Sequence, residues 1–162
     1  MSTFVRVLRP LSLLVAVVAV AVVAAPIANA SERTSVPSNL CKLHIAAQLK
    51  ALGVGTSCKP APLAKGDAFT INEANWGSSL KIQVLTGLSA TTFKQLLTGS
   101  WTPVSLGSFA RGQFGATGRF YAVSAWANGV GLSITLTVAP TGKNKASKAR
   151  FLALARAVIK QI

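Results

Sequence analysis

The chain has 162 residues, with 17 lysines and arginines against three acidic residues and one histidine, and a formal net charge of +14. Three carboxylates and one imidazole leave little material for general acid–base chemistry, and the length allows about one ordinary domain with one core. So positive a balance points to anionic partners or to solubility, and says little about fold.

Residues 1–30 read as a secretory signal peptide. "MSTFVRVLRP" carries Arg6 and Arg9 without an acid, and the apolar run Leu11 to Ala25 follows. That run is about fifteen residues, shorter than the roughly twenty of a spanning helix. Ala28 and Ala30 supply the small side chains of a cleavage site, predicted between Ala30 and Ser31. An uncleaved anchor from Leu11 to Ala28 is the alternative. No cysteine stands at the cleavage point to take a lipid, so the expected product is secreted by the Sec route and not lipid-anchored. It keeps every basic residue except Arg6 and Arg9, fifteen in all, against Glu32, Asp67 and Glu73, a formal charge of +12. Residues 31–38 read as a flexible mature N-terminus and 39–162 as a single domain.

The first element of that domain is a helix from Leu40 to Leu52. Ser38 or Asn39 caps it, Leu40, Leu43, Ala47, Ala51 and Val54 form its stripe with Leu49 and Leu52 beside it, and Gly53 and Gly55 end it. "CKPAPLAKG" reads as an irregular linker whose two prolines forbid a central strand. Asp67–Ala74 and "LKIQVL" from Leu80 alternate as two half-buried strands, with "NWGSS" as the turn between them. A short helix follows, capped by Ser89, with Phe93, Leu96 and Leu97 inward and Gly99 as a stop. "SWTPVSLGSFARGQFGATG" reads as a Gly-rich connection with one short strand near Val104. "RFYAVSAWANGVGLSITLTVA" is a hairpin turning at Asn128-Gly129, a pair suited to a type I′ turn. A C-terminal amphipathic helix buries Phe151, Ala155, Val158 and Ile162, with Leu152, Leu154 and Ile159 beside them. The fold class is α+β, an antiparallel sheet of four to five strands covered by helices.

Two cysteines in an exported chain of this size point to a disulfide. A helix from Leu40 to Leu52 places Cys41 about 16 Å from its end, and the six steps from Leu52 to Cys58 span roughly 20 Å extended, so the chain can return. A Cys41–Cys58 bridge would stabilise by about 3 kcal/mol on the chain-entropy account. C-x-x-C is absent, and two cysteines with one histidine do not complete a zinc site. His44 follows Cys41 by three residues, a spacing that could pair thiol and imidazole, but an oxidised thiol and the lack of a nearby acid favour a partly exposed helix histidine.

Asp67 and Glu73 are the only candidates for a glycosidase pair, and their spacing implies no cleft. G-x-S-x-G, a phosphate loop and HExxH are all missing. No catalytic residue, metal site or cofactor is assigned. Trp76, Trp101 and Trp126 could stack on sugars or bases, or simply pack. Phe109, Arg111, Phe114, Arg119 and Phe120 interleave aromatic and basic residues as nucleic-acid surfaces do, yet match no nucleic-acid module, and no specific nucleic acid is expected.

Cys41, the helix ending near Leu52-Gly53, "VSLGSFA" from Val104, "ANGVGLSITLTV" and the terminal "ARFLALARAVIKQI" resemble the small exported proteins and lipoproteins of actinobacteria that are grouped as a domain of unknown function. The resemblance implies an α+β envelope domain and brings no catalytic residues. The lipobox cysteine of many members is missing here.

The expected function is binding, not catalysis, through a cationic surface of Lys143, Lys145, Lys148, Arg150, Arg156 and Lys160 with Arg111 and Arg119. The expected partner is an anionic envelope polymer or phospholipid surface, and the protein a monomer. The rival from another class is a membrane-active antimicrobial protein using the last helix; a hydrolase is a weaker third.

Overall fold

The computed structural model describes residues 36–61, 63–66, 69–138 and 146–162. The leader with its cleavage point, Glu32, Asp67, Lys143 and Lys145 lie outside the described residues.

The first helix is shorter than its apolar spacing predicts. Leu40–Lys42 form a 3-10 turn, closed by Asn39, whose side chain accepts from the Cys41 N–H at 2.9 Å, and α1 is only Ala46–Leu52. The break turns Leu43 and Ile45 inward and leaves Ala47 and Ala51 exposed. Gly53 ends α1 in the left-handed conformation at φ 72°, where glycine has no Cβ clash.

Eight antiparallel strands follow: β1 (Cys58–Pro60), β2 (Ala64–Lys65), β3 (Thr70–Trp76), β4 (Leu80–Thr86), β5 (Thr102–Pro103), β6 (Phe109–Phe114), β7 (Phe120–Ala127) and β8 (Val130–Thr137). Their order is β1-β3-β4-β8-β7-β6-β5, with β2 also on β3. This exceeds the four to five strands expected. The proline-bearing linker supplies β1 and β2, both beside β3 at one margin, where Pro60 removes no central ladder bond. The Gly-rich connection holds all of β6, which alternation alone concealed because Gly112 occupies an inward position. Two helices complete the chain: α2 (Ala90–Leu96), capped by Ser89, and α3 (Lys148–Ile159), capped by Ser147.

Register assigns every strand residue to a face. On one face, Ala74, Ile82, Ile134 and Val123 lie opposite one another across β3, β4, β8 and β7, as do Trp76, Leu80, Leu136 and Tyr121 in the next row. These side chains are buried beneath α1 and α3, whose Leu49, Leu52, Phe151, Leu154, Ala155 and Val158 meet them. At about 1.5–3 kcal/mol for each large apolar side chain fully buried, this layer is the principal source of stability. Trp76, expected in the hairpin turn, is the last residue of β3 and a core residue; the turn itself is Gly77–Ser79.

Polar clamps fix the helices on that layer. Asn128 and Gly129 have φ of 51° and 79°, as a type I′ turn requires. The Asn128 side chain also donates to the Ile159 and Ile162 carbonyls at 3.1 and 2.7 Å, capping α3. Gln161 accepts from the His44 N–H at 2.7 Å and so ties α3 to the start of α1. Cys41 and Cys58 are joined, with Cα atoms 5.6 Å apart, linking the 3-10 turn to β1. Buried Asn72 donates to the Pro37 carbonyl at 2.7 Å.

Candidate functional site

The opposite face of the sheet is built by the other parity of the same strands. Its first row, Ile71, Leu85, Gly131, Trp126 and Phe109, is mostly apolar. Here α2 lies down: Phe93 is buried, with its ring 5.6 Å from that of Trp126. A Cβ on Gly131 would come within 2.5 Å of the Phe93 ring, so glycine makes the seat of α2. Leu96, expected to point inward with Phe93, is instead 51% exposed at the last residue of α2.

The next two rows are polar: Glu73, Gln83, Ser133, Ser124 and Arg111, then Asn75, Lys81, Thr135, Ala122 and Gln113. Both helices of the apolar layer lie on the far side, and α2 reaches only the first row. Glu73 is saturated by its neighbours. It accepts from Asn75 at 3.1 Å and Gln83 at 2.6 Å, and pairs with Lys81 at 3.4 Å. Partial burial pushes its pKa up, but the two amide hydrogen bonds and the Lys81 ammonium outweigh that, and the carboxyl ends below its ordinary value.

Among the described residues, two depressions lie on this face. One, of about 410 Å³, lies beside the β3–β4 turn and is lined by Asn75, Ser79, Lys81, Gln83, Thr135 and Thr137. The other, of about 320 Å³, lies beside α2 and is lined by Lys94, Leu97, Gly99, Trp101, Phe109 and Arg111. In the second, the Lys94 Nζ is 5.0 Å and the Arg111 Cζ 5.7 Å from the centroid of one ring, that of Phe109. Both lie within cation–π range. The Trp101 indole donates to the Thr98 carbonyl at 2.7 Å, which fixes its ring.

The described members of the basic set singled out from the sequence lie on more than one side of the sheet. Lys148, Arg150, Arg156 and Lys160 are exposed on α3, on the helix-covered side, with Lys148 Nζ 4.6 Å from the Phe114 ring centroid. Arg111 projects from the opposite face of the sheet, and Arg119 is exposed in the turn before β7. The apolar stripe of α3 is fully buried at Phe151, Leu154, Ala155 and Val158, so the helix presents its basic face to solvent and has no apolar face free for a bilayer. Lys94 stands on the exposed side of α2, a side to which apolar spacing gives no signal. The alternation of "LKIQVL" and "LSITLT" already separated Lys81, Gln83, Ser133 and Thr135 from the core positions, but not what they would sit beside.

His44 is exposed and is engaged through its backbone, by Gln161. Among the described residues no three His, Cys, Asp or Glu side chains gather as metal ligands, and no helix is long and apolar enough to cross a membrane. No known protein family, curated protein or solved structure matches the chain. The resemblance to exported actinobacterial proteins therefore rests on its short motifs alone.

Proposed function

We propose that this protein is an exported binding protein of the cell envelope or extracellular space, taking anionic ligands through its cationic surface without catalysis of its own. The observation that carries this reading is the scarcity of counter-charge among the described residues. Glu73 is the only aspartate or glutamate among the described residues, and Asn75, Gln83 and Lys81 already occupy it. Lys94, Arg111 and the exposed cations of α3 therefore outnumber the carboxylates of the described residues, which supports an anion brought from outside. The Cys41–Cys58 disulfide supports an oxidising, extracellular setting, in keeping with export by residues 1–30, cleavage after Ala30 and a product free of lipid. The intended partner is an anionic envelope polymer or phospholipid surface, met by a monomer.

The test is binding of the exported protein to vesicles of anionic phospholipid and to acidic envelope polymer over a salt series. Affinity is expected to fall roughly tenfold or more between low and high salt, because exposed charges are screened, with no release of vesicle contents. Affinity indifferent to salt would overturn the electrostatic reading; dye release would replace it with the membrane-active one.

A further inference from the structure

We infer that the depression beside α2 is a subsite for an acidic sugar residue, a saccharide ring bearing a carboxylate, sulfate or phosphate. The inference rests on the anion-binding reading above and gives it a location and a ligand class.

The first argument is electrostatic. Lys94 and Arg111 converge on the Phe109 ring at 5.0 and 5.7 Å. Glu73 occupies the same row of the sheet as Arg111, but four strands away through Gln83, Ser133 and Ser124. At about 4.8 Å per strand the separation is about 19 Å, beyond a Debye length of about 8 Å at physiological salt. Two cations share one ring, and no aspartate or glutamate among the described residues lies near enough to balance them. An arriving anion relieves their repulsion, and a guanidinium matches a carboxylate or phosphate with two parallel hydrogen bonds.

The second argument is shape. Trp101 lines the same depression, and its indole N–H is already bound to the Thr98 carbonyl. The ring is thus oriented before any ligand arrives, which lowers the entropy lost on binding. A flat apolar platform beside two cations accepts the C–H face of a sugar whose acidic substituent reaches Arg111.

The third argument is what continues from the depression. Beyond β7, whose Ser124 and Ala122 on this face are buried, β8, β4 and β3 carry Ser133, Thr135, Gln83 and Asn75, hydroxyls and amides that both donate and accept, as sugar hydroxyls require. The groove beside the β3–β4 turn ends this path, about 14 Å from β6 at three strand spacings. Single-stranded nucleic acid calls for a succession of aromatic platforms. Here the Trp101 and Phe109 rings of one depression are followed by polar side chains and not by further platforms, which favours a glycan.

The experiment measures affinities of the exported protein for oligogalacturonate, dextran sulfate and phosphorylated mannan, each against its neutral counterpart, and for a single-stranded oligonucleotide. At least one acidic glycan is expected to bind tenfold or more tighter than its neutral form and tighter than the oligonucleotide. The three arms show which acidic group is preferred. Arg111→Gln, Lys94→Gln and Trp101→Ala should each weaken that binding at least fivefold, Trp101→Phe should retain most of it, and the α3 pair Arg156→Gln/Lys160→Gln should change it less than twofold. Circular dichroism checks that each variant is folded. If acidic glycans bind but the depression variants have no effect, or the oligonucleotide binds tightest, the inference is overturned while the anion-binding reading stands. If wild-type protein binds no polyanion, both fall.

Discussion

The two faces of the sheet use the same strands for opposite ends. On one, Ile82, Val84, Leu132, Ile134, Val123 and Ala125 are completely buried under α1 and α3. On the other, the residues between them in sequence, such as Lys81, Gln83, Ser133 and Thr135, form polar rows that α2 covers only at one end. The contrast separates stability from recognition. A period of two along each strand lets the helix-covered face hold the fold while the other face leaves Lys81, Gln83, Ser133 and Thr135 outside the core for the recognition proposed above.

This division can be broken at several points. Phe151→Ala removes a fully buried ring packed 5.6 Å from Tyr121 and should cost about 3–5 kcal/mol of unfolding free energy in a denaturant titration. Reduction of Cys41–Cys58, or its replacement by serines, should cost about 3 kcal/mol for a sequence separation of 17, read as a lower melting temperature. Two alkylated thiols in the unreduced protein would contradict the bridge.

Gly131→Ala crosses from one face to the other. Its new methyl would meet the Phe93 ring, costing about 1–3 kcal/mol through overpacking. Because Lys94 adjoins Phe93 on α2, anion binding should also weaken, a loss that Phe151→Ala, assayed below its unfolding transition, should not show. Asn128→Ala removes the donor to two carbonyls at the end of α3 and an asparagine suited to positive φ, for about 1–2 kcal/mol.

The smallest effect belongs to Glu73. Its folded pKa lies below the ordinary 4.5, so its contribution is fully present above that value and is lost as pH falls through the folded pKa. The stability difference between wild type and Glu73→Gln, measured by urea denaturation at successive pH values, should therefore shrink towards acid. A difference independent of pH would show that the network around Glu73 does not depend on its charge.

Much of the apolar layer was legible in the sequence because it is periodic. The Asn128-Gly129 hairpin, the inward Leu132, Ile134 and Leu136, and the stripe Phe151, Ala155, Val158 all follow from local spacing. What escaped was set by tertiary contact. The apolar run from Leu40 to Leu52 breaks into a 3-10 turn and a short helix, with the turn held by Asn39 and by the disulfide. β6 was hidden by Gly112, whose added Cβ would strike the Phe114 ring at 2.5 Å, so a glycine that looked like a loop signal is a packing requirement. The candidate site was the least legible part. Lys94, Trp101 and Arg111 come from a helix, a connection and a strand: the pairing of β5 with β6 sets Trp101 near Arg111, and the seating of Phe93 on Gly131 adds Lys94.

The most direct measurement is a titration of isotopically labelled protein with oligogalacturonate, followed through backbone and indole N–H resonances. The account predicts that the shifts concentrate at Trp101, Phe109, Arg111 and their neighbours across the polar rows, while the indole of buried Trp76 stays in place. Shifts concentrated instead around Arg156 and Lys160 on α3, with Trp101 unmoved, would contradict the assignment of recognition to the polar face.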